Sequence, residues 1–319
     1  MKTMVAVAVA ALAFGTLVHA QDYPTKPIRI IVPLTPGSGA DIAGRIIGAR
    51  MSEHWKQPVI VENRPGAGGQ IGTAAVVKAD ADGHTILVQS SSHAANPAIY
   101  KSLPYDPQKD LADVAIIGKT PYVMVSAANG PYKSLKDLVE AAKAKPGQLA
   151  FASAGIGTST HLAAEYLIAL ARVKMLHVPF KGSPDAMQDV LGGRSTFYMA
   201  PLDASMGLVR DKKLNALGVS TKARAAALPE AQPIAEQGLP TYEMTLWFGM
   251  WVPAATPIPV VQKLNAAVNA IVFEPQVKEQ FTKLGIEPAP MKPDEFAKFV
   301  RSQMDFYKKI VTVAGVEPQ

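Results

Sequence analysis

The sequence predicts an α/β protein of two lobes, and three observations carry that prediction. Strand-like apolar runs alternate with helical patterns along most of the chain. A strand, a glycine-rich turn and a helix start occur together twice, at residues 27–41 and again at residues 149–161. Behind a short leader, roughly 300 residues remain, a length that usually builds two cores rather than one. Each glycine turn offers backbone N–H groups and the positive end of a helix dipole, which suits an anionic group. Two such turns, one per lobe, predict a protein that closes over a small carboxylate.

The leader comes first. Lys2 supplies a positive start, residues 4–17 form a short apolar run, and Val18-His19-Ala20 is a small-residue cleavage site. The run is too short to span a bilayer comfortably, so cleavage after Ala20 and export of the remainder are expected. The chain has no cysteine. That excludes lipid attachment behind the cleavage site, disulfides, thiolate catalysis and cysteine-based metal sites. The net charge is +6, with Lys and Arg scattered rather than clustered. Such a balance attracts anionic solutes mildly and gives no sign of nucleic-acid binding.

Strands are expected at 28–32, 59–62, 85–89 and 115–117, with helices between them. The helix after Asp41 places Ile42, Ile46, Ile47 and Met51 near one face, and Asp41 suits its N-cap or first turn. Alternation of this kind points to a parallel sheet covered on both faces, with ligands bound at the C-terminal ends of the strands. A second series starts with a strand at 122–127. Ser134 caps a helix over 135–145, which Pro146-Gly147 ends. Strands follow at 149–152, 176–179, 195–199 and 216–220, with a helix over 161–171. Residues 243–252 read as a further strand carrying Trp247, Phe248 and Trp251. Residues 260–273 and 293–313 read as two closing helices that return to the first lobe. The lobes are therefore expected at 21–124 plus 246–319, and at 125–245, with crossing points near 122–127 and 243–252.

The candidate binding residues follow from the turns. The first turn supplies Leu34, Thr35, Gly37, Ser38, Gly39, Ala40 and Asp41. In the second, which carries Ser153, Gly155, Gly157, Thr158, Ser159 and His161, the hydroxyls of Ser153, Thr158, Ser159 and Thr160 join the backbone amides, enough to hold a carboxylate without arginine. Hydrogen bonds to such a charged group contribute about 1.5–3 kcal/mol each. Ser90, Ser91, Ser92 and His93 follow the third strand and lie at the same rim, where capping of the next helix is the alternative reading. Asn96-Pro97 reads as a turn or helix start. Lys181 follows a strand and offers a cation at the cleft, or else a solvated lysine. Trp247, Phe248 and Trp251 either wall an organic ligand or belong to the core.

Other chemistries find no support. The turns Gly37/Gly39, Gly66/Gly68 and Gly155/Gly157 lack the third glycine of a dinucleotide fingerprint, with Ile42, Ile71 and Thr160 in its place. There is no P-loop and no Gly-x-Ser-x-Gly elbow. His54, His84, His93, His161 and His177 show no metal-ligand spacing. No catalytic residue, metal or cofactor is therefore assigned.

Several longer motifs carry a resemblance. They are Tyr23-Pro24-x-Lys26-Pro27-Ile28-Arg29-Ile30-Ile31-Val32-Pro33, Val61-Glu62-Asn63-Arg64-Pro65-Gly66-Ala67-Gly68-Gly69-x-Ile71-Gly72 and Leu103-Pro104-Tyr105-Asp106-Pro107. Ser153-Ala154-Gly155-x-Gly157-Thr158, His177-Val178-Pro179-Phe180-Lys181-Gly182 and Gly192-Gly193 continue the series. In order and spacing, over essentially the whole mature chain, these resemble the Bug family, periplasmic substrate receptors of tripartite tricarboxylate transporters. The resemblance implies a type II periplasmic binding protein fold, two α/β lobes joined by crossing hinge strands with the ligand cleft between them. It implies no catalysis: a receptor closes on a carboxylated solute and delivers it to a membrane permease. Ligand groups come from the loops matching 34–41 and 153–161, with the loops matching 90–96 and 199–203 lining the rest.

Departures from the family pattern bear on the ligand. Family members often carry Phe at the position of Leu34 and Thr or Ser at that of Ala40, which implies an altered, roomier floor. Many carry Asp where Ala200 stands; an acid there would pair with a ligand ammonium. With Ala200 a buried ammonium would lack its partner, at a cost of several kcal/mol, so a ligand without an amine is expected. Asp203, three residues further on, either substitutes for that acid or faces elsewhere. An aromatic or aliphatic dicarboxylate, delivered by a monomeric receptor, is the favoured reading. The alternatives are a receptor feeding a membrane sensor kinase and an exported enzyme acting on carboxylic acids.

Overall fold

The computed structural model describes residues 23–319. The leader expected over residues 1–20 lies outside them. Strand β1 (Ile28–Val32) runs into helix α1 (Gly39–Trp55), which buries Ala40, Ala43, Ile47 and Met51. Its middle comes so close to the sheet that a Cβ on Gly44 would already touch Val32 and Val88. Then follow β2 (Val59–Asn63), α2 (Gln70–Val77), β3 (Thr85–Ser90) and α3 (Ser92–Ile99). Pro97 lies inside α3 rather than at its start.

The next strand, β4, runs from Leu111 to Ala127 without a break. The two strands expected at 115–117 and 122–127 are therefore one. Gly118 and Pro121 look like punctuation, but they fall where the strand changes its neighbours. The register against the returning strand β9 (Thr245–Pro253) slips between Ile116 and Gly118, and Pro121 is the last residue of β4 paired with it. Proline has no N–H to give a ladder. Beyond it, β4 pairs instead with β7 (Phe197–Pro201) and β8 (Leu214–Val219).

Between these strands come α4 (Leu135–Ala144), β5 (Ala150–Ser153), α5 (Ser159–Ala171), β6 (Leu176–Pro179), α6 (Ser183–Leu191) and α7 (Leu202–Arg210). Ser134 caps α4 by accepting from the Asp137 N–H. The strand order is β2-β1-β3-β9-β4-β7-β5-β6, with β8 on β4 as well. The parallel sheet expected from the alternation is confined to the flanks: β1 with β2 and β3, and β5 with β6 and β7. Every pairing made by β4 and β9 is antiparallel. One chain crosses out on β4 and comes back on β9, so the centre must run both ways.

The result is two α/β lobes joined by crossing strands. One core holds Trp247, Trp251, Phe248 and Phe296 among its largest side chains, and a second holds Val123, Ala152, Val190, Tyr198, Ala200 and Leu202. The closing helices are three: α8 (Ile258–Ile271), α9 (Pro275–Leu284) and α10 (Pro293–Ala314). Helix α8 packs on β4 and α1, while α10 packs on α3 and β4 and also on α5 of the second lobe. No helix of the described residues is long and apolar enough to cross a membrane.

Candidate functional site

Three strand-to-helix turns meet between the lobes: those after β1, β3 and β5. In the first, Gly37 takes a φ of +78° and its N–H donates to Asp41 Oδ2 at 2.9 Å. Asp41 also accepts from Asn63 Nδ2 at 2.9 Å and Arg45 Nε at 3.1 Å. Burial pushes its carboxyl up, but the bonds from Arg45, Gly37 and Asn63 outweigh it and hold the pKa below the usual range. Asp41 is thus a brace within the turn and has no oxygen to spare for a ligand. Ser38 is the N-cap of α1 by backbone geometry, yet its side chain makes no cap bond and its buried Oγ has no partner.

In the turn after β3, Ser90 Oγ donates to Ser92 Oγ at 3.0 Å. Ser91 points elsewhere, to the Tyr122 hydroxyl at 3.2 Å. His93 stacks on Trp251 with ring centroids 4.3 Å apart, and burial drives its pKa down to about 3. In the turn after β5, Gly155 N–H donates to Ser153 Oγ at 3.1 Å, Thr158 Oγ1 donates to Gly155 O at 2.7 Å, and Thr158 accepts from the His161 N–H to cap α5. Gly155 and Gly157 adopt φ values of +125° and +78°.

The lobes touch directly across the cleft. Ser159 N–H of α5 donates to Ser92 Oγ of α3 at 3.0 Å. Tyr100 Oη donates to Ile156 O at 2.9 Å. A Cβ on Gly182 would lie 1.8 Å from Thr35 Oγ1, and one on Gly39 would lie 2.5 Å from Asp203 Oδ2. This is a closed arrangement. The innermost cavity is only about 20 Å³, room for about one water. It opens toward an outer cleft of about 670 Å³ that shares Leu34 and Ala154 with it.

Of the sequence candidates, Leu34, Ser38, Gly39, Ala40, Ser90, Ser92, Thr158 and Ser159 line the inner cavity. Thr35, Gly155 and Lys181 line the outer cleft. Gly37, Asp41, Ser153 and Gly157 shape the turns without lining either, and Ser91, His93 and His161 are turned into packing or bonding elsewhere. Trp247 is a correction. Its ring packs edge-on against Phe296 and Phe299, and its Nε1 donates to Gln303. Neighbouring side chains on a strand face opposite ways, and it is Phe248 that faces the cavity.

Ala200 is a second correction. Its side chain sits in the second core, paired on β4 with Val123, and does not face the cleft. Its lack of charge therefore says nothing about an amine, and that ground for excluding one falls away. Asp203, in the first turn of α7, lies against Gly39 of the other lobe and lines neither the inner cavity nor the outer cleft. It is 4% exposed and neither carboxylate oxygen has a hydrogen-bond partner among the described residues. Burial lifts its pKa to about 7; the amides of Asp203 and Ala204 temper the rise without reaching hydrogen-bond geometry.

Thr160 and Phe248, both considered in the sequence, line the cavity; residues missed in the sequence include Ser183 and Leu246 in the cavity, and Gly66, Gly68, Tyr100 and Phe180 in the outer cleft. The Gly66–Gly69 turn was visible as a glycine cluster, but nothing local says that it faces Ile156 across the cleft. His161, Glu165 and His177 bring ligand atoms within 4.8 Å of one another. The two imidazoles, however, stack face to face at 4.1 Å and 10°. A metal binds in the plane of each ring, so rings stacked this way do not converge on one ion.

The sequence profile of the tripartite tricarboxylate transporter family receptor matches residues 43–316. A protein encoded in the tcbD–tcbE intergenic region of Pseudomonas sp. strain P51 is 37% identical over 97% of this chain and 93% of its own. Protein BugT of Bordetella pertussis is 31% identical over 98% and 97%. Among solved structures, R. palustris Rpa4515 with adipate superposes with a TM-score of 0.91 at 30% identity, covering 93% of this chain and 100% of its own. The periplasmic binding protein BugD gives 0.89 at 30% identity, covering 93% and 100%. MatC (Rpa3494) from Rhodopseudomonas palustris with bound malate gives 0.87 at 28% identity, covering 91% and 100%.

Proposed function

The chain belongs to the tripartite tricarboxylate transporter receptor family, with the Bug proteins among its relatives, and from that premise we propose that it captures a small organic dicarboxylate in the periplasm and hands it to a membrane permease. Residues 1–20 serve as the export leader in this reading, and the receptor works as a monomer. The lobes are 21–124 plus 246–319, and 125–245, hinged where β4 and β9 cross.

The observation that carries the reading is the convergence of the N-termini of α1, α3 and α5 on one cavity, with Ser159 N–H bonded to Ser92 Oγ across it. When the lobes part, that N–H and the Ser92 hydroxyl lose their partners across the cleft and become available to a carboxylate, with Ser90, Thr158 and Thr160 lining the same cavity. A helix N-terminus with hydroxyls around it stabilises an anion without a cationic side chain. The inner cavity is too small for a whole diacid, so the chain of the ligand runs into the outer cleft. There Lys181 receives the second carboxylate, beside Phe180 and Tyr100. Adipate and malate, the acids in two of the similar structures, have this two-ended form. Closure is driven by contacts that exist only when both lobes reach the ligand. Binding leaves the acid chemically unchanged in this reading: Ser153 Oγ lies 2.7 Å from His177 Nε2, but neither residue lines the inner cavity or the outer cleft.

A thermal-shift screen of the protein against aliphatic and aromatic mono- and dicarboxylates tests this. A saturable rise in melting temperature with a dicarboxylate, recovered intact afterwards, is expected. No shift with any carboxylate, or conversion of the bound acid, overturns it.

A further inference from the structure

We propose that residues 316–319 form a strap that sets Tyr100 in place, and that through Tyr100 the strap governs closure of the lobes at the outer cleft. This rests on the receptor reading above for its consequence, ligand capture, but closure itself is read without any ligand.

The strap begins where α10 stops. Gly315 takes a φ of +63°, its N–H donates to Thr312 O, and the Val316 N–H reaches back to Val311 O at 3.1 Å. This pair of bonds satisfies the last carbonyls of the helix and turns the chain sharply away from it. Val316 packs against the core that holds Trp251, and the chain then runs to the end of α3. There the Gln319 N–H donates to Ile99 O at 2.7 Å, and the Lys101 N–H donates to Gln319 O at 3.0 Å. Ile99 is the last residue of α3, so its carbonyl has no partner inside that helix; Gln319 supplies one. The two bonds clasp the residues on either side of Tyr100.

Tyr100 in turn joins the lobes. Its Oη donates to Ile156 O of the second lobe at 2.9 Å. The side chain is wedged between two glycine turns: a Cβ on Gly68 would lie 3.0 Å from Oη, and one on Gly157 would lie 2.4 Å from Cε2. With so little space on either side, the bond to Ile156 depends on where the backbone of Tyr100 stands, and the strap fixes that backbone from both flanks. Tyr100, Gln319 and Ile156 all line the outer cleft, so the clasp also forms part of its wall. Helix α10, which carries the strap, itself packs on α3 of one lobe and α5 of the other.

Gln319→Pro tests the clasp, because it removes the N–H that Ile99 O accepts and keeps the length of the chain. The readout is hydrogen exchange of the Ser159 amide, which is bonded to Ser92 Oγ across the closed cleft and is freed when the lobes part. In the ligand-free protein, Gln319→Pro should exchange this amide at least about threefold faster than wild type, the effect of one hydrogen bond. Gln319→Ala keeps both backbone bonds and should match the wild type. Tyr100→Phe should speed exchange by itself, and adding Gln319→Pro to it should bring no further rise, because the strap acts through the Tyr100 hydroxyl. Adipate, titrated by calorimetry, should bind Gln319→Pro about threefold more weakly than wild type. Unchanged Ser159 exchange in Gln319→Pro, an equal rise in Gln319→Ala, or a full further rise beside Tyr100→Phe overturns the proposal. Should adipate fail to bind the wild type, that failure counts against the ligand reading alone, and Ser159 exchange still decides the strap.

Discussion

The backbone N–H of Ser159, in the first turn of α5, donates to Ser92 Oγ, at the start of α3 in the opposite lobe, across 3.0 Å. First-turn N–H groups of a helix have no partner inside the helix. Here the opposite lobe provides one, a bond that the closed arrangement makes and an open one would lose. Ser92→Ala removes the acceptor and leaves a donor that only water or ligand can satisfy. A net loss of about 1 kcal/mol from the closed form is expected. Small-angle scattering of the ligand-free variant should give a larger radius of gyration than the wild type. An unchanged radius would show that this bond does not hold the lobes together.

Gly157 controls closure through a different contact. Its φ is +78°, and a Cβ there would lie 2.4 Å from Tyr100 Cε2. Gly157→Ala thus strains the backbone by about 1–2 kcal/mol and pushes Tyr100 off Ile156 O, its partner at 2.9 Å. Ligand affinity should fall more than tenfold while the melting curve stays cooperative. Adding Tyr100→Ala should recover the steric part of the loss and leave the backbone part. Affinity equal to the wild type in the single variant would place closure elsewhere.

How much of this was readable beforehand depends on the range of the interaction. The glycine turns at 37–39 and 155–157 were legible because positive φ before a helix start is a local demand. Ser134 was legible as a cap for the same reason. Ala200, Asp203, Trp247 and Phe248 were not, because their roles turn on which face of a strand or helix each occupies. A shift of one residue exchanges core for cleft, and apolar runs such as 197–201 and 246–252 carry no alternation to settle it. Strand direction was hidden likewise: a buried strand reads alike whether its neighbour runs parallel or antiparallel, so the central antiparallel pair of β4 and β9 left no mark.

Asp203 also makes a pH prediction. Its carboxyl, ordinarily near 3.8, is lifted to about 7 by burial. Between those values the folded protein keeps a proton that the unfolded chain has released. The contribution to stability is therefore complete below the unfolded value and is lost as pH rises through 7, by up to a few kcal/mol. His93 and His177, pushed down to about 3 chiefly by burial, act in the opposite sense and lose stability as pH falls below 6.5. The difference between wild type and Asp203→Asn isolates the first effect. The melting temperature of the variant relative to the wild type should rise steadily from pH 4 to pH 7 and then level off. A difference independent of pH would mean that Asp203 is not held protonated by the fold.

Lys181 separates the two ends of the ligand. It lies exposed in the outer cleft, on the loop after β6, next to Phe180 and across from Tyr100 and the Gly66–Gly69 turn. An exposed ion pair contributes at most about 1 kcal/mol and is screened by salt. Lys181→Met should then weaken a dicarboxylate about three- to fivefold at low ionic strength, a figure that follows from that ceiling. Monocarboxylates held only at α5 should bind both proteins equally. Raising the salt should bring the dicarboxylate affinities of the two proteins together, because the wild type loses what the variant never had. Equal losses for mono- and dicarboxylates would instead mean that Lys181 acts on the inner end, and the ligand would have to lie the other way round in the cleft.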